Sequence, residues 1–121
     1  MIDHLTISIG DLDAARAFYR AALAPLGYAP VMEYQRNVGF GSDGKPDFWI
    51  AEGKPNVPPV HVAFVAATRA AVDAFHRAAL LAGGRDNGKP GLRPQYHEHY
   101  YGAFVLDADG HNIEAVCHQA A

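Results

Sequence analysis

Two histidines and one glutamate carry the chemistry this chain offers, because of how the sequence around them alternates. Leu5, Ile7 and Ile9 alternate with His4, Thr6 and Ser8, while Val60, Val62 and Phe64 alternate with His61, Ala63 and Val65. A period of two predicts strands, with both imidazoles on the face opposite the larger apolar residues. Toward the C-terminus, Asn112, Glu114, Val116 and His118 share one face of another strand and Ile113, Ala115 and Cys117 the other. Glu114 thus belongs with the polar set. Two imidazoles and a carboxylate converging from three strands form a divalent-metal site with positions open to water or substrate, as in His₂-carboxylate zinc and non-haem iron centres.

The segment from Arg93 to Tyr101, with Tyr96, His97, Glu98, His99 and Tyr100 between, has the most unusual composition in the chain. Its side chains can exchange protons and stack on a planar or carbonyl-bearing ligand. His97 is a third histidine that the metal set does not require, so it is the acid–base candidate, with Tyr96 beside it. Arg93, Tyr100 and Tyr101 are candidates for substrate contact. For the two tyrosines, stapling of the loop to the sheet or to a partner chain is the equal alternative. The faces of His99 and His118 stay open. His76 sits on the apolar face of a helix and reads as a core-rim residue, and His111 follows a turn glycine and reads as structural. Cys117 reads as a small buried hydrophobe.

The elements that must position these groups occur twice. Shifting the sequence by 57 positions aligns residues 2–28 with 59–85 without a gap and with nine identities, carrying His4 onto His61 and Gly27 onto Gly84. An internal duplication follows, dividing one domain, 1–121, into modules of approximately 1–56 and 57–121. Each copy runs from strand to helix. Asp11 and Thr68 are cap candidates, and Gly27 and the pair Gly83-Gly84 are stop signals. Further strands are expected at roughly 29–35, 37–41 and 47–52, and at 101–107 and 112–118 around the turn Ala108-Asp109-Gly110-His111. Gly88 to Pro94 reads as an ordered, irregular loop. Helices on one side of the sheets leave the histidine face open as a cleft.

Composition removes several classes of function. Ten Lys and Arg against thirteen Asp and Glu, with no basic run, give no electrostatic footprint for nucleic acid. No apolar stretch is long enough for a membrane span, and the start Met1-Ile2-Asp3-His4 does not look like an export signal. A single cysteine forms no internal disulfide, and the expectation is a cytoplasmic protein.

Taken together, Ile2-Asp3-His4-Leu5-Thr6-Ile7, the run from Asp11 to Tyr28 with Tyr19-Arg20-Ala21-Ala22-Leu23 inside it, His61-Val62-Ala63-Phe64, and Asp107-Ala108-Asp109-Gly110-His111-Asn112-Ile113-Glu114 resemble the vicinal oxygen chelate superfamily. That group includes glyoxalase I, extradiol dioxygenases, fosfomycin-modifying thiol transferases and metal-free bleomycin-resistance proteins. The resemblance spans the chain and implies an α+β fold in which two βαβββ modules make a curved mixed sheet, with a concave cleft and helices on the outer face. It places the metal ligands at His4, His61 and Glu114. Ala108 stands where the pattern has proline, a change confined to turn rigidity.

The resemblance implies a divalent ion (Fe, Zn, Ni, Mn or Co) chelating two adjacent oxygens of a small substrate and stabilising an enolate-like intermediate, in isomerase or lyase chemistry. Glu114 is expected to act in catalysis as well as in metal binding. The alternatives are extradiol dioxygenase, thiol transferase, or a metal-free antibiotic-binding protein. Glyoxalase-type members take a fourth ligand from the last strand of the first module, where Trp49 holds the central position as a substrate-contact candidate. Glu52 there reads as a solvated strand end, and Asp47 is ambiguous. A homodimer is expected, since two small modules leave sheet edges exposed.

Overall fold

Asp11 accepts a hydrogen bond from the Ala14 amide at 3.1 Å, and Thr68 Oγ1 one from Ala71 at 3.0 Å, so the two cap residues open the two helices as predicted. The computed structural model describes residues 1–121. Its first module consists of β1 (Leu5–Ile9), α1 (Leu12–Leu23), β2 (Ala29–Tyr34), β3 (Asn37–Ser42) and β4 (Lys45–Glu52). The second repeats that order as β5 (His61–Val65), α2 (Arg69–Leu81), β6 (Arg85–Leu92), β7 (Tyr101–Leu106) and β8 (Asn112–Cys117). No helix is long and apolar enough to cross a membrane.

Each module folds into a four-stranded mixed sheet, ordered β1-β4-β3-β2 in the first and β5-β8-β7-β6 in the second. The first strand of each pairs in parallel with the last, and the other pairings are antiparallel. The chain is therefore an α+β protein of two βαβββ units. The helix-covered sides of both units share one core, in which Tyr19, Phe40, Phe48 and Ile50 from the first join Phe64, Phe75, Val105 and Ile113 from the second.

The repeat-related glycines are needed for different reasons. Gly27 takes φ 84° to end the turn after α1, which a side chain resists. At Gly84 a Cβ would lie 2.8 Å from the Phe18 ring and 2.9 Å from the Ala79 carbonyl, so close packing between the modules fixes that glycine.

The stretch Gly88 to Leu92 is not a loop but part of β6. Gly88, Pro90 and Gly91 carry turn signals, yet the strand lies at a sheet edge and its register against β7 shifts on both sides of Gly88. On an edge, bulges and a proline without its N–H are tolerated, so turn-forming composition does not end the strand.

Candidate functional site

β8 lies between β5 and β7, and its register aligns Glu114 with Ala63 on one side and Phe104 on the other, on the face that no helix covers. The Glu114 side chain is only 1% exposed and must therefore be fully partnered. His61 Nε2 lies 2.8 Å from its Oε1, and Tyr100 donates its hydroxyl to Oε2. Burial, and then the bond to the carboxylate, push the Tyr100 phenol well above its ordinary pKa, so it stays a donor. The His61 ring, by contrast, is 53% exposed. A Cβ on Gly102 would sit 3.2 Å from the Tyr100 ring and 3.4 Å from Glu114 Oε2. This glycine lets Tyr100 lie across β7. The sequence signal for it was present, a glycine within a strand, but points to a close approach without naming the partner.

The Arg93 amide donates to the Tyr100 carbonyl at 2.7 Å and closes the unusual loop on itself. The loop's rings gather beside Glu114 around His118, which follows β8: Tyr96 against Tyr100 at 5.0 Å between centres, Tyr100 against His118 at 5.4 Å, and His118 against His97 at 5.4 Å. His99 donates its amide to His97 Nδ1. His97 thus belongs to the cluster two rings away from Glu114. Arg93 lies over Phe104 at 5.4 Å, and Phe104 lies 6.2 Å from His61.

Tyr101 does not join these residues. It pairs across the sheet with Cys117 on the helix-covered face, donates its hydroxyl to Asp73 of α2 at 2.7 Å, and has Arg69 over its ring. Strand alternation separates neighbours, so Tyr100 and Tyr101 face opposite ways. Cys117 is fully buried on that side.

In the first module His4 is also on open ground, 55% exposed, with Nδ1 2.6 Å from Asp3. Trp49 pairs with Thr6 on β1 and lies against Gly39, where a Cβ would come within 2.9 Å of the indole. Within one chain His4, His61 and Glu114 do not come together as a group of ligand atoms within 4.8 Å. The Ser8 carbonyl, at the far end of β1, accepts from His111 Nε2, and His111 Nδ1 accepts from the Val60 amide at the start of β5. His4 thus stands four residues, roughly 13 Å of strand, from the junction beside His61. Glu52 is held by Arg36 at 2.9 and 3.0 Å and by the Leu12 amide, and Asp47 accepts from Tyr28. Neither meets the His61–Glu114 pair.

A separate group, Asp107, Asp109 and His111, brings ligand-type atoms within 4.8 Å of one another. All of its ligand-type atoms except Asp109 Oδ1 already have hydrogen-bond partners. Asp107 accepts from Tyr19 and from the Asp109 and His111 amides, Asp109 accepts from Gly10, and both His111 nitrogens serve Ser8 and Val60. The cluster ties the β7–β8 turn to the first module. His76 pairs with Asp86 at 2.9 Å at the rim of the core.

The sequence matches the family model described as "Glyoxalase/Bleomycin resistance protein/Dioxygenase superfamily" over residues 1–115. No curated protein matches it. Among solved structures, a glyoxalase/bleomycin resistance protein from Albidiferax ferrireducens T118 is 28% identical with a TM-score of 0.83, covering 95% of this chain and 97% of that one. A glyoxalase/bleomycin resistance protein/dioxygenase family enzyme from Burkholderia phytofirmans PsJN shares the fold at 18% identity, TM-score 0.75, covering 98% of each chain. A glyoxalase-related enzyme from Fulvimarina pelagi does so at 22% identity, TM-score 0.71, covering 97% and 87%.

Proposed function

The chain belongs to the glyoxalase/bleomycin resistance protein/dioxygenase superfamily, and from that premise we propose that it is a divalent-metal-dependent enzyme acting on a small oxygenated substrate, of isomerase or lyase type. The observation that carries this reading is the contact between His61 Nε2 and Glu114 Oε1 at 2.8 Å. An imidazole and a carboxylate this close on an open sheet face suit one ion whose ligands each lie at about 2.0–2.2 Å. His4 of a second copy completes the set. Both histidines are more than half exposed, and the hollow between the starts of β1 and β5 is lined by Asp3, Leu5, Val62 and Ala63 and by neither imidazole. The working form is then a homodimer, in which each open face closes on another.

When bound, the ion supplies Lewis acidity toward two adjacent substrate oxygens. Tyr100 holds the second oxygen of Glu114 and so fixes the carboxylate's orientation. His97, with His118 beside it, moves the proton, and Tyr96 and Trp49 offer ring faces to the substrate. Cytoplasmic residence, with Cys117 kept reduced, belongs to the same reading.

Metal analysis of anaerobically purified protein is the test. Wild type is expected to hold a divalent ion, His61→Ala and Glu114→Gln to lose most of it, and Glu52→Gln to keep it. His97→Ala is expected to keep the metal and slow turnover by ~10²-fold. Bound iron directs the substrate screen to dioxygenation, and zinc, nickel, manganese or cobalt to isomerase and lyase reactions. Wild type that stays empty after metal supplementation replaces the enzyme by a metal-free binding protein.

A further inference from the structure

Arg93 is held in a way that a solvated surface arginine does not need. Its Nη1 donates to the Gly91 carbonyl at 2.9 Å and its Nη2 to the Lys89 carbonyl at 2.7 Å, while the guanidinium lies over the Phe104 ring. Gly88 and Gly91 leave it room, since a Cβ on either would come 3.2 Å from a guanidinium nitrogen. The ion pairs of the chain involve Arg16, Arg36, Lys45 and four histidines, and Arg93 is in none of them. Carbonyl acceptors orient a guanidinium without neutralising it, and a guanidinium has five N–H groups, of which two are used here. A fixed, half-buried positive charge with donors to spare recognises a planar or tetrahedral oxyanion.

The place of that charge matters as much as its fixity. Phe104, which carries the guanidinium, is aligned with Glu114 and lies 6.2 Å from His61. We infer that Arg93 binds an anionic group of the substrate, a carboxylate or a phosphonate-type oxyanion, beside the His61–Glu114 pair. The inference rests on the reading of that face as a substrate site and narrows the substrate to an anion. A neutral sugar or a hydrocarbon leaves the guanidinium unpaired, and a cationic substrate is repelled.

The test uses metal-free full-length protein, so that anion binding is read apart from chelation by an ion. Benzoate, methylphosphonate and the neutral isostere benzyl alcohol are titrated by NMR, with amide shifts of residues 88–104 as the readout. Expected are saturable shifts with benzoate or methylphosphonate at about millimolar affinity, and none with benzyl alcohol. The tighter of the two anions identifies the oxyanion class. Arg93→Met is expected to weaken binding by about 10- to 100-fold, and Arg93→Lys, which keeps the charge but loses the fork, to fall between. A native-like spectrum of Arg93→Lys separates loss of recognition from loss of fold. Equal binding of benzoate and benzyl alcohol, unchanged affinity in both variants, or no saturable shift overturns the inference. Metal content is measured on a second portion of each preparation after divalent-metal supplementation and removal of the unbound ion. Anion binding without metal retention refutes the enzyme reading alone, and metal retention without anion binding refutes the role of Arg93 alone.

Discussion

Phe48 in β4 meets Phe64 in β5 edge to face, with ring centres 5.1 Å apart and planes at 88°. Phe48 also packs against Tyr19 of α1, and Phe64 against Tyr28, so the contact lies on the helix-covered side of both sheets. The two modules are fused through their cores, and each histidine-bearing face is left outward. Phe64→Ala is therefore expected to cost about 3–5 kcal/mol. Because the core is common, denaturant unfolding followed by tryptophan fluorescence and by circular dichroism should remain one coincident transition. Two separated transitions would show that the modules are independent.

Tyr100→Phe removes the donor to a carboxylate that is almost wholly buried. The vacated oxygen lacks solvent to replace the hydroxyl, and a loss of about 1–3 kcal/mol is expected in the metal-free protein. On the proposed reading, metal affinity falls by about 10- to 100-fold, since Tyr100 orients a ligand without being one. Chemical denaturation and metal titration of the same variant check both numbers. Unchanged stability would mean that Glu114 finds another donor.

Asp3, Glu52 and Asp86 are carboxylates held below their ordinary range, and the last two tie separate elements together, so they contribute to the acid limb of stability. Arg36 first, then the Leu12 amide, hold Glu52 below the ordinary glutamate range, and His76 and then the Gly88 amide do the same for Asp86. A pKa lower in the folded than in the unfolded state gives stability that is present above the unfolded value. It is lost as pH falls through the folded one. Melting temperature should thus decline below about pH 4, and less steeply in Glu52→Gln and Asp86→Asn, which begin lower but have fewer protons to take up. Parallel acid limbs in all three proteins would mean that these pairs are already broken in solution.

Alternation and repetition made most of this fold legible. The caps at Asp11 and Thr68, the face of Glu114 and the structural part of His111 follow from local pattern, because strand and helix periods are local properties. β6 did not, because Gly88, Pro90 and Gly91 signal turns unless one knows that the strand lies on an edge. Proximity in sequence groups Tyr101 with Tyr100, since it hides the reversal of face between strand neighbours. The separation of His4 from His61 lay beyond periodicity altogether. A duplication relates the two histidines by symmetry, but whether that symmetry brings them together is decided by how the modules pack. Here packing is set by Phe48, Phe64 and the His111 bridge.

That packing makes the shared site open to a decisive mixing experiment. If each site takes His4 from one chain and His61 with Glu114 from another, His4→Ala and His61→Ala homodimers both lack a complete ligand set. In a mixed dimer one site carries both substitutions, while the other combines the intact His4 of one chain with the intact His61 of its partner. Co-refolding equal amounts should give mixed dimers in about half of the molecules, each with one good site of two, and so about a quarter of the wild-type metal content. Each variant refolded alone should hold nearly none. Sites built within single chains regain nothing on mixing, because every chain then carries a broken site. Metal content of the mixture, measured against the two variants and wild type after identical refolding, decides between these outcomes. A monomer by sedimentation at micromolar concentration would remove the partner altogether, and with it the role proposed for His4.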